Sequence, residues 1–120
     1  MAGLQTHTPV PEEIRVRSGG KTLALRYPDL GEVALSAEFL RVYSPSAEVR
    51  GHGQGNEVLQ LDKEKVAITG IEPVGNYAVK LIFSDGHDSG LYSWDILHEF
   101  ASSHQALWQS YLQRLQAAGH

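Results

Sequence analysis

The stretch that decides the fold is Glu13-Ile14-Arg15-Val16-Arg17-Ser18-Gly19-Gly20-Lys21-Thr22-Leu23-Ala24-Leu25-Arg26-Tyr27. Apolar and polar residues alternate on both sides of a glycine pair, a pattern typical of a β-hairpin. Placing the loop at the two glycines matches apolar with apolar residues and one charge with its opposite. The predicted partners are Val16 with Leu23, Ile14 with Leu25 and Glu13 with Arg26.

Two more hairpins are predicted further along the chain, from the same alternation of apolar and polar residues. Each loop length is chosen because it keeps apolar residues opposite one another. The loops and partners are Pro73–Asn76, with Ile68 opposite Leu81 and Val66 opposite Phe83, and Asp85–His87, with Leu81 opposite Leu91 and Phe83 opposite Ser89.

Helix signals follow serine residues, whose side chains cap helix N-termini well. Ser36 begins a short helix with an apolar stripe, Ser93 begins a second helix, and Ser102 offers an N-cap for a third. We therefore expect an α+β fold: a small, mostly antiparallel β-sheet domain with a short internal helix and two C-terminal helices. The expected organisation is a flexible tail (1–12), the domain itself (13–101) and a C-terminal amphipathic helix (102–120).

Composition narrows the function further. The chain has 120 residues, a net charge of −4 and no cysteine. One domain is expected from the length, and disulfides, thiolate nucleophiles and cysteine-ligated metals are excluded. The negative charge argues against nucleic acid or an anionic membrane as partner. The sequence shows neither a secretory signal nor an apolar run of about 20 residues, so we expect a cytoplasmic protein.

Two motifs resemble catalytic or nucleotide sites but lack the necessary context. The glycine-rich loop at 51–55 is neither preceded by a strand nor followed by a helix, as a phosphate-binding loop requires. The run Gly86-His87-Asp88-Ser89-Gly90 holds Ser, His and Asp together, but its spacing is not that of a nucleophile elbow. We therefore expect neither nucleotide binding nor hydrolysis.

A metal site is the better candidate. His52 and His87 lie in separate glycine-flanked loops, and Asp85 and Asp88 flank His87. Neutral imidazole with carboxylate suits zinc or ferrous iron. The alternative is that His87 is a turn residue and His52 a solvent-exposed loop residue, because a complete ligand set is not visible in the sequence.

Three segments carry a family resemblance: LRVYSPSAEVRGHG (40–53), EPVGNYAV (72–79) and FSDGHDSGLYSW (83–94). They resemble the gamma-butyrobetaine hydroxylase-like N-terminal domain family, over a match from about Ile14 to Phe100. The resemblance implies a small β-rich α+β domain. It also implies a relation to hydroxylases in which this domain precedes a catalytic domain that uses Fe(II) and 2-oxoglutarate, and to a segment appended to Mrp-type iron–sulfur cluster carrier ATPases.

The resemblance further implies a structural zinc held by three cysteines and a histidine. The histidine matches His87, and the cysteine positions fall on Ser44, Ser46 and Val49. None of these three residues can supply a thiolate, so we do not expect this zinc site to be carried over. About 20 residues follow the matched region, too few for the catalytic β-helix core.

These observations favour a small non-catalytic binding module that acts through an unidentified protein partner. It could be associated with iron or zinc, in a role connected with iron–sulfur cluster handling. One alternative is an N-terminal subunit that works in trans with a 2-oxoglutarate-dependent oxygenase. Another is a purely structural interaction protein, with the helix at 105–115 docking on a partner or on a second copy. The sequence leaves the oligomeric state open.

Overall fold

The structure is a computed structural model that describes residues 9–45 and 63–119. Within these ranges it contains six strands and two α-helices. In chain order they are β1 (Glu13–Arg17), β2 (Thr22–Tyr27), β3 (Gly31–Ser36), α1 (Ala37–Val42), β4 (Ile68–Val74), β5 (Ala78–Phe83), β6 (Leu91–Ser93) and α2 (Trp94–Ala117). The predicted α+β class is confirmed. The strands, however, form two separate three-stranded antiparallel sheets, β1-β2-β3 and β4-β5-β6.

The first hairpin has the predicted register. The observed pairs are Val16 with Leu23, Ile14 with Leu25 and Glu13 with Arg26. A 3₁₀ turn covers residues 18–20, in which Gly19 and Gly20 adopt φ angles of 66° and 93°. These left-handed angles favour glycine, so the local sequence was sufficient to locate the turn.

The second hairpin has a different register from the predicted one. The turn takes only residues 75–77, which pairs Val74 with Ala78 and Ile71 with Leu81. A bulge between Ile68 and Gly70 then brings Ile68 opposite Phe83. The turn is tied to the start of α2, because Trp94 donates its backbone N–H to the carbonyl of Tyr77 at 3.1 Å. This long-range contact was not visible in the local pattern.

The third hairpin also differs from its prediction, here by a shift of one residue. Its connection spans residues 84–90 instead of three residues, and Leu91 pairs with Lys80 while Tyr92 pairs with Val79. Tyr92 is therefore fully buried on the core side and Leu91 is exposed. The Tyr92 hydroxyl donates to the carbonyl of Leu40 at 2.6 Å, which satisfies its polar atom inside the core.

Two of the three predicted helix caps, at Ser36 and Ser93, are present, but Ser102 lies within a helix, because the two expected C-terminal helices are one. Ser36 and Ser93 accept hydrogen bonds from the backbone N–H groups of Phe39 and Ile96. At Ser103 the backbone leaves helical geometry, with φ −113° and ψ 16°, and α2 continues beyond it as a single kinked helix. The predicted domain boundary at 101/102 lies within this helix and stays a prediction.

A single apolar cluster joins both sheets and both helices. The turn after β1 packs closely on β4, since a Cβ added to Gly20 would collide with the carbonyl oxygen of Ile68. The fully buried members of the cluster are Leu23, Leu25, Leu35, Ala37, Phe39, Leu40, Leu81, Tyr92 and Leu97. Within the described ranges, 9–45 and 63–119, no helix is long and apolar enough to cross a lipid bilayer.

Candidate functional site

His87 lies in the connection between β5 and β6, which we call the His87 turn (residues 84–90). The turn is closed by two backbone hydrogen bonds: Gly86 donates to Phe83 at 2.9 Å, and Phe83 donates to His87 at 3.0 Å. Gly86 adopts a φ of 90°, which favours glycine. The turn folds inward, so His87 is only 8% exposed although it lies at a hairpin end.

The imidazole of His87 contacts a residue from a distant part of the chain. Its Nε2 lies 2.9 Å from the Oγ of Ser44, which is fully buried just after α1. The two groups form a hydrogen bond whose donor depends on the histidine tautomer. Gly90 allows this approach, because a Cβ at that position would collide with Ser44 Oγ. The contact fixes the His87 turn to the end of α1.

Asp85 holds the other side of the turn. Its Oδ1 accepts the backbone N–H of His87 at 3.1 Å, and its Oδ2 accepts from Arg41 Nε at 2.8 Å and Lys63 Nζ at 2.9 Å. Burial alone would raise the pKa of Asp85, but the hydrogen bonds from Lys63, the His87 amide and Arg41 outweigh it and lower the pKa to about 2. The carboxylate is therefore ionised and neutralised by two cations.

Of the four residues predicted as metal ligands, the structure describes Asp85, His87 and Asp88. Asp85 and His87 are adjacent, but both oxygens of Asp85 already accept hydrogen bonds. Asp88 is exposed, and His52 lies outside the described residues. Within 9–45 and 63–119, no group of three or more His, Cys, Asp or Glu side chains could hold a metal ion.

The zinc site implied by the family does not fit these residues. At Ser44 a neutral hydroxyl meets His87 where the family has a thiolate, and hydroxyls are not among the usual zinc ligands. The other two cysteine positions carry Ser46 and Val49, which lie outside the described residues. The Ser44–His87 contact is thus a hydrogen bond between two residues at family ligand positions.

Arg41 and Lys63 belong to the site but were missed by the sequence analysis. Arg41 lies in the last turn of α1 and is 8% exposed, which is unusual for arginine. Lys63 comes from the segment before β4. Arg41 lies within the segment 40–53 that carries the resemblance, but nothing in the sequence marks it or Lys63 as a partner of Asp85, and only the position of Asp85 between them reveals their role.

A second polar group joins α1 to the far half of α2. The Tyr43 hydroxyl donates to the carbonyl of Leu107 at 2.8 Å and accepts from Arg114 Nη2 at 3.0 Å. The Tyr111 hydroxyl donates to Glu38 Oε2 at 2.7 Å, and burial together with this carboxylate raises the pKa of Tyr111. The kinked end of α2 is therefore held against α1 by polar contacts inside a largely apolar interface.

Comparison with known proteins agrees with this fold and with the resemblance noted in the sequence. Residues 14–98 match the family model described as gamma-butyrobetaine hydroxylase-like, N-terminal. The chain belongs to this family. The matched range includes Ser44, His87 and every described strand except the first residue of β1.

Solved structures resemble the domain closely. One, an NMR solution structure, is 52% identical with a TM-score of 0.82 and covers 93% of this chain and 88% of its own. Another NMR structure is 49% identical with a TM-score of 0.79, covering 98% and 87%. A crystal structure from Acidithiobacillus ferrooxidans, described as a protein of unknown function in the DUF971 family, is 32% identical with a TM-score of 0.61, covering 78% and 92%. The comparison with curated proteins found no match.

Proposed function

We propose that this domain is a cytoplasmic, non-catalytic accessory module that acts through a protein partner. The observation that carries the proposal is the buried hydrogen bond between Ser44 and His87, because it uses the two residues best suited to chemistry as a structural contact. A general base must reach a proton on a substrate, and a nucleophile must reach its target. Ser44 is fully buried and His87 nearly so.

The charged residues around the pair support the same reading. The carboxylate of Asp85 binds Arg41, Lys63 and the His87 backbone, so it stabilises the turn in one conformation. A carboxylate neutralised in this way is a poor proton acceptor at neutral pH, since its pKa is about 2. The cluster therefore supplies a rigid frame, and we assign binding to the exposed surface of the second sheet.

Exposed apolar side chains on the second sheet are where we expect the partner to contact the domain. Tyr77 and Leu91 are 41% and 43% exposed. Tyr77 belongs to the turn at 75–77, which the Trp94 indole N–H stabilises by donating to the carbonyl of Asn76 at 2.8 Å. Aromatic side chains on ordered elements are enriched in protein interfaces.

The test is affinity capture from extract of the native organism, with the tagged domain and two variants. We expect one protein to co-purify in stoichiometric amount with the original domain. The Tyr77→Ser/Leu91→Ser variant should lose it, while Leu112→Ser, which changes a similarly exposed leucine on α2, should keep it. Failure to capture any protein, or capture unaffected by the double change, would contradict the proposal.

The identity of the captured protein separates the remaining alternatives. An oxygenase chain that needs Fe(II) and 2-oxoglutarate would favour a subunit working in trans. An iron–sulfur carrier ATPase would favour a role in cluster handling. If only a second copy of this chain is recovered, and Leu112→Ser loses it, the purely structural alternative with the helix at 105–115 as the docking element is favoured.

A metal-associated role, with iron or zinc, is the second candidate. It rests on the sequence, which places His52 and His87 in glycine-flanked loops with Asp88 beside His87. A metal here would use His87 with His52, and Asp88 as a carboxylate. The test is element analysis of the purified protein and titration with Zn²⁺ or Fe²⁺, followed by histidine ring signals in NMR. We expect shifts at His52 and His87 but not at His104, and their loss in His52→Ala. Absence of both a co-purifying metal and these shifts would contradict the role.

A further inference from the structure

We propose that a second copy of this chain docks on the outer edge of β1, through antiparallel pairing of the two β1 strands about Arg15. This pairing would join the two first sheets into one continuous six-stranded sheet. The inference is independent of the accessory function proposed above, because β1 lies near the start of the chain and no residue of the His87 turn takes part in the pairing.

The position of β1 makes such pairing available. The strand order is β1-β2-β3, and among the described residues no other strand pairs with the outer side of β1. An edge strand presents unpaired backbone N–H and C=O groups that can pair with another strand. Natural edges are often protected by proline or by charged side chains, above all lysine. β1 contains neither proline nor lysine, and its charges at Glu13 and Arg17 are complementary to those of a second antiparallel β1 strand.

The apolar face of β1 continues the core to this edge of the sheet, where it is partly exposed to solvent. Val16 is paired with Leu23, which in turn is paired with Leu35, so all three lie on the same face of the sheet. Leu23 and Leu35 are fully buried, whereas Val16 is 41% exposed. A second β1 strand would continue this apolar row and bury Val16.

The sequence of β1 is self-complementary when it is paired about Arg15. Ile14 lies opposite Val16 of the second copy on the core face, and Glu13 lies opposite Arg17 on the other face. A shift by one residue would instead place Ile14 opposite Arg15. Pairing about Arg15 thus places apolar residues opposite apolar ones and charges opposite their counterparts, so a second copy of β1 is the partner that fits this strand.

The charges already present on this face are compatible with the pairing. Arg15, which would meet its own equivalent on the two-fold axis, is neutralised within its chain by Glu13, whose Oε2 accepts from Arg15 Nε at 2.6 Å. Arg17 contacts Glu32 at 2.7 Å. Glu13 of the second copy would therefore join an existing ion pair, and the two arginines on the axis would not meet as unpaired charges.

The experiment is sedimentation equilibrium of the full chain from micromolar to millimolar concentration, with variants whose folding is checked by circular dichroism. We expect a concentration-dependent dimer for the original chain. Val16→Lys should raise the dimer dissociation constant by about tenfold or more, because it places a charge in the apolar row. Leu112→Lys, which changes a similarly exposed apolar residue on α2, should leave the constant unchanged.

The charge at Arg17 tests the register itself. Arg17→Glu should weaken the dimer, because it places two carboxylates opposite each other, whereas Arg17→Lys, which keeps the positive charge opposite Glu13, should not. A chain that is monomeric at all concentrations would overturn the proposal, as would a dimer unaffected by Val16→Lys.

Discussion

Ser44 Oγ lies 2.9 Å from His87 Nε2, although 43 residues separate them in the chain. The contact joins the end of α1 to the connection between β5 and β6, and both residues occupy positions where the family resemblance implies zinc ligands. A single hydrogen bond contributes about 1 kcal/mol, far less than a structural zinc, whose binding is worth roughly 10–16 kcal/mol. The ion pairs of Asp85 and the close packing of Gly90 are therefore needed as well to stabilise this turn.

Removing the Ser44 hydroxyl tests how much the contact contributes. Ser44→Ala deprives the buried His87 ring of this partner, and we expect the free energy of unfolding to fall by about 1–3 kcal/mol. Urea denaturation measures the change. Ser102→Ala, at an exposed position, is the matched control and should change the stability little. A Ser44→Ala protein as stable as the original would show that the hydrogen bond does not stabilise the turn.

Gly90→Ala tests the close approach of the turn to Ser44. The added methyl group would collide with Ser44 Oγ and press on Pro45 Cδ and Tyr92 Cε1, each 3.3 Å from the new Cβ. We expect a loss of about 1–3 kcal/mol, typical of overpacking, measured by thermal or urea unfolding. In the double variant with Ser44→Ala the collision with Oγ is absent, so the two losses should not add. Strict additivity would mean that the two positions are not coupled.

Asp85→Asn tests the ion pairs through their dependence on pH. Because the folded state lowers the pKa of Asp85 from 3.8 to about 2, its ionised form adds stability above pH 3.8 that is lost as the pH falls towards 2. We expect the variant to be less stable by about 1–3 kcal/mol at neutral pH and to approach the original protein in acid. Asp88→Asn, on an exposed residue of the same turn, is the control. An equal deficit of the Asp85 variant at both pH values would contradict the assignment.

His104 predicts a second pH dependence, at the contact between α2 and α1. Its ring meets Phe39 edge-on, with centroids 4.7 Å apart, and burial lowers the pKa of His104 below 6.5. The unfolded chain therefore binds the proton more readily, so acidification through pH 6.5 destabilises the fold. His104→Gln cannot titrate, and we expect a smaller loss of stability from about pH 7.5 to about pH 5.5 in the variant than in the original. Equal losses in both proteins would contradict this role.

Local sequence determined the first hairpin and the beginnings of both helices. In the hairpin, a glycine pair with left-handed φ angles and strict alternation on either side fix the register within fifteen residues. Ser36 and Ser93 bond to the backbone three residues later, so their caps are complete within one helical turn. Asp85 and His87 likewise meet through a contact two residues apart.

The tertiary structure decided what depends on distant partners. The register of the second hairpin follows from Trp94 holding the turn at 75–77, and the serine cap signal at 102–103 is overridden because the far half of α2 buries Tyr111 and bonds to α1. The candidate site itself unites α1, the segment before β4 and the His87 turn. These hydrogen bonds and ion pairs depend on which distant segments the core brings together. The local alternation of apolar and polar residues does not show which segments will meet.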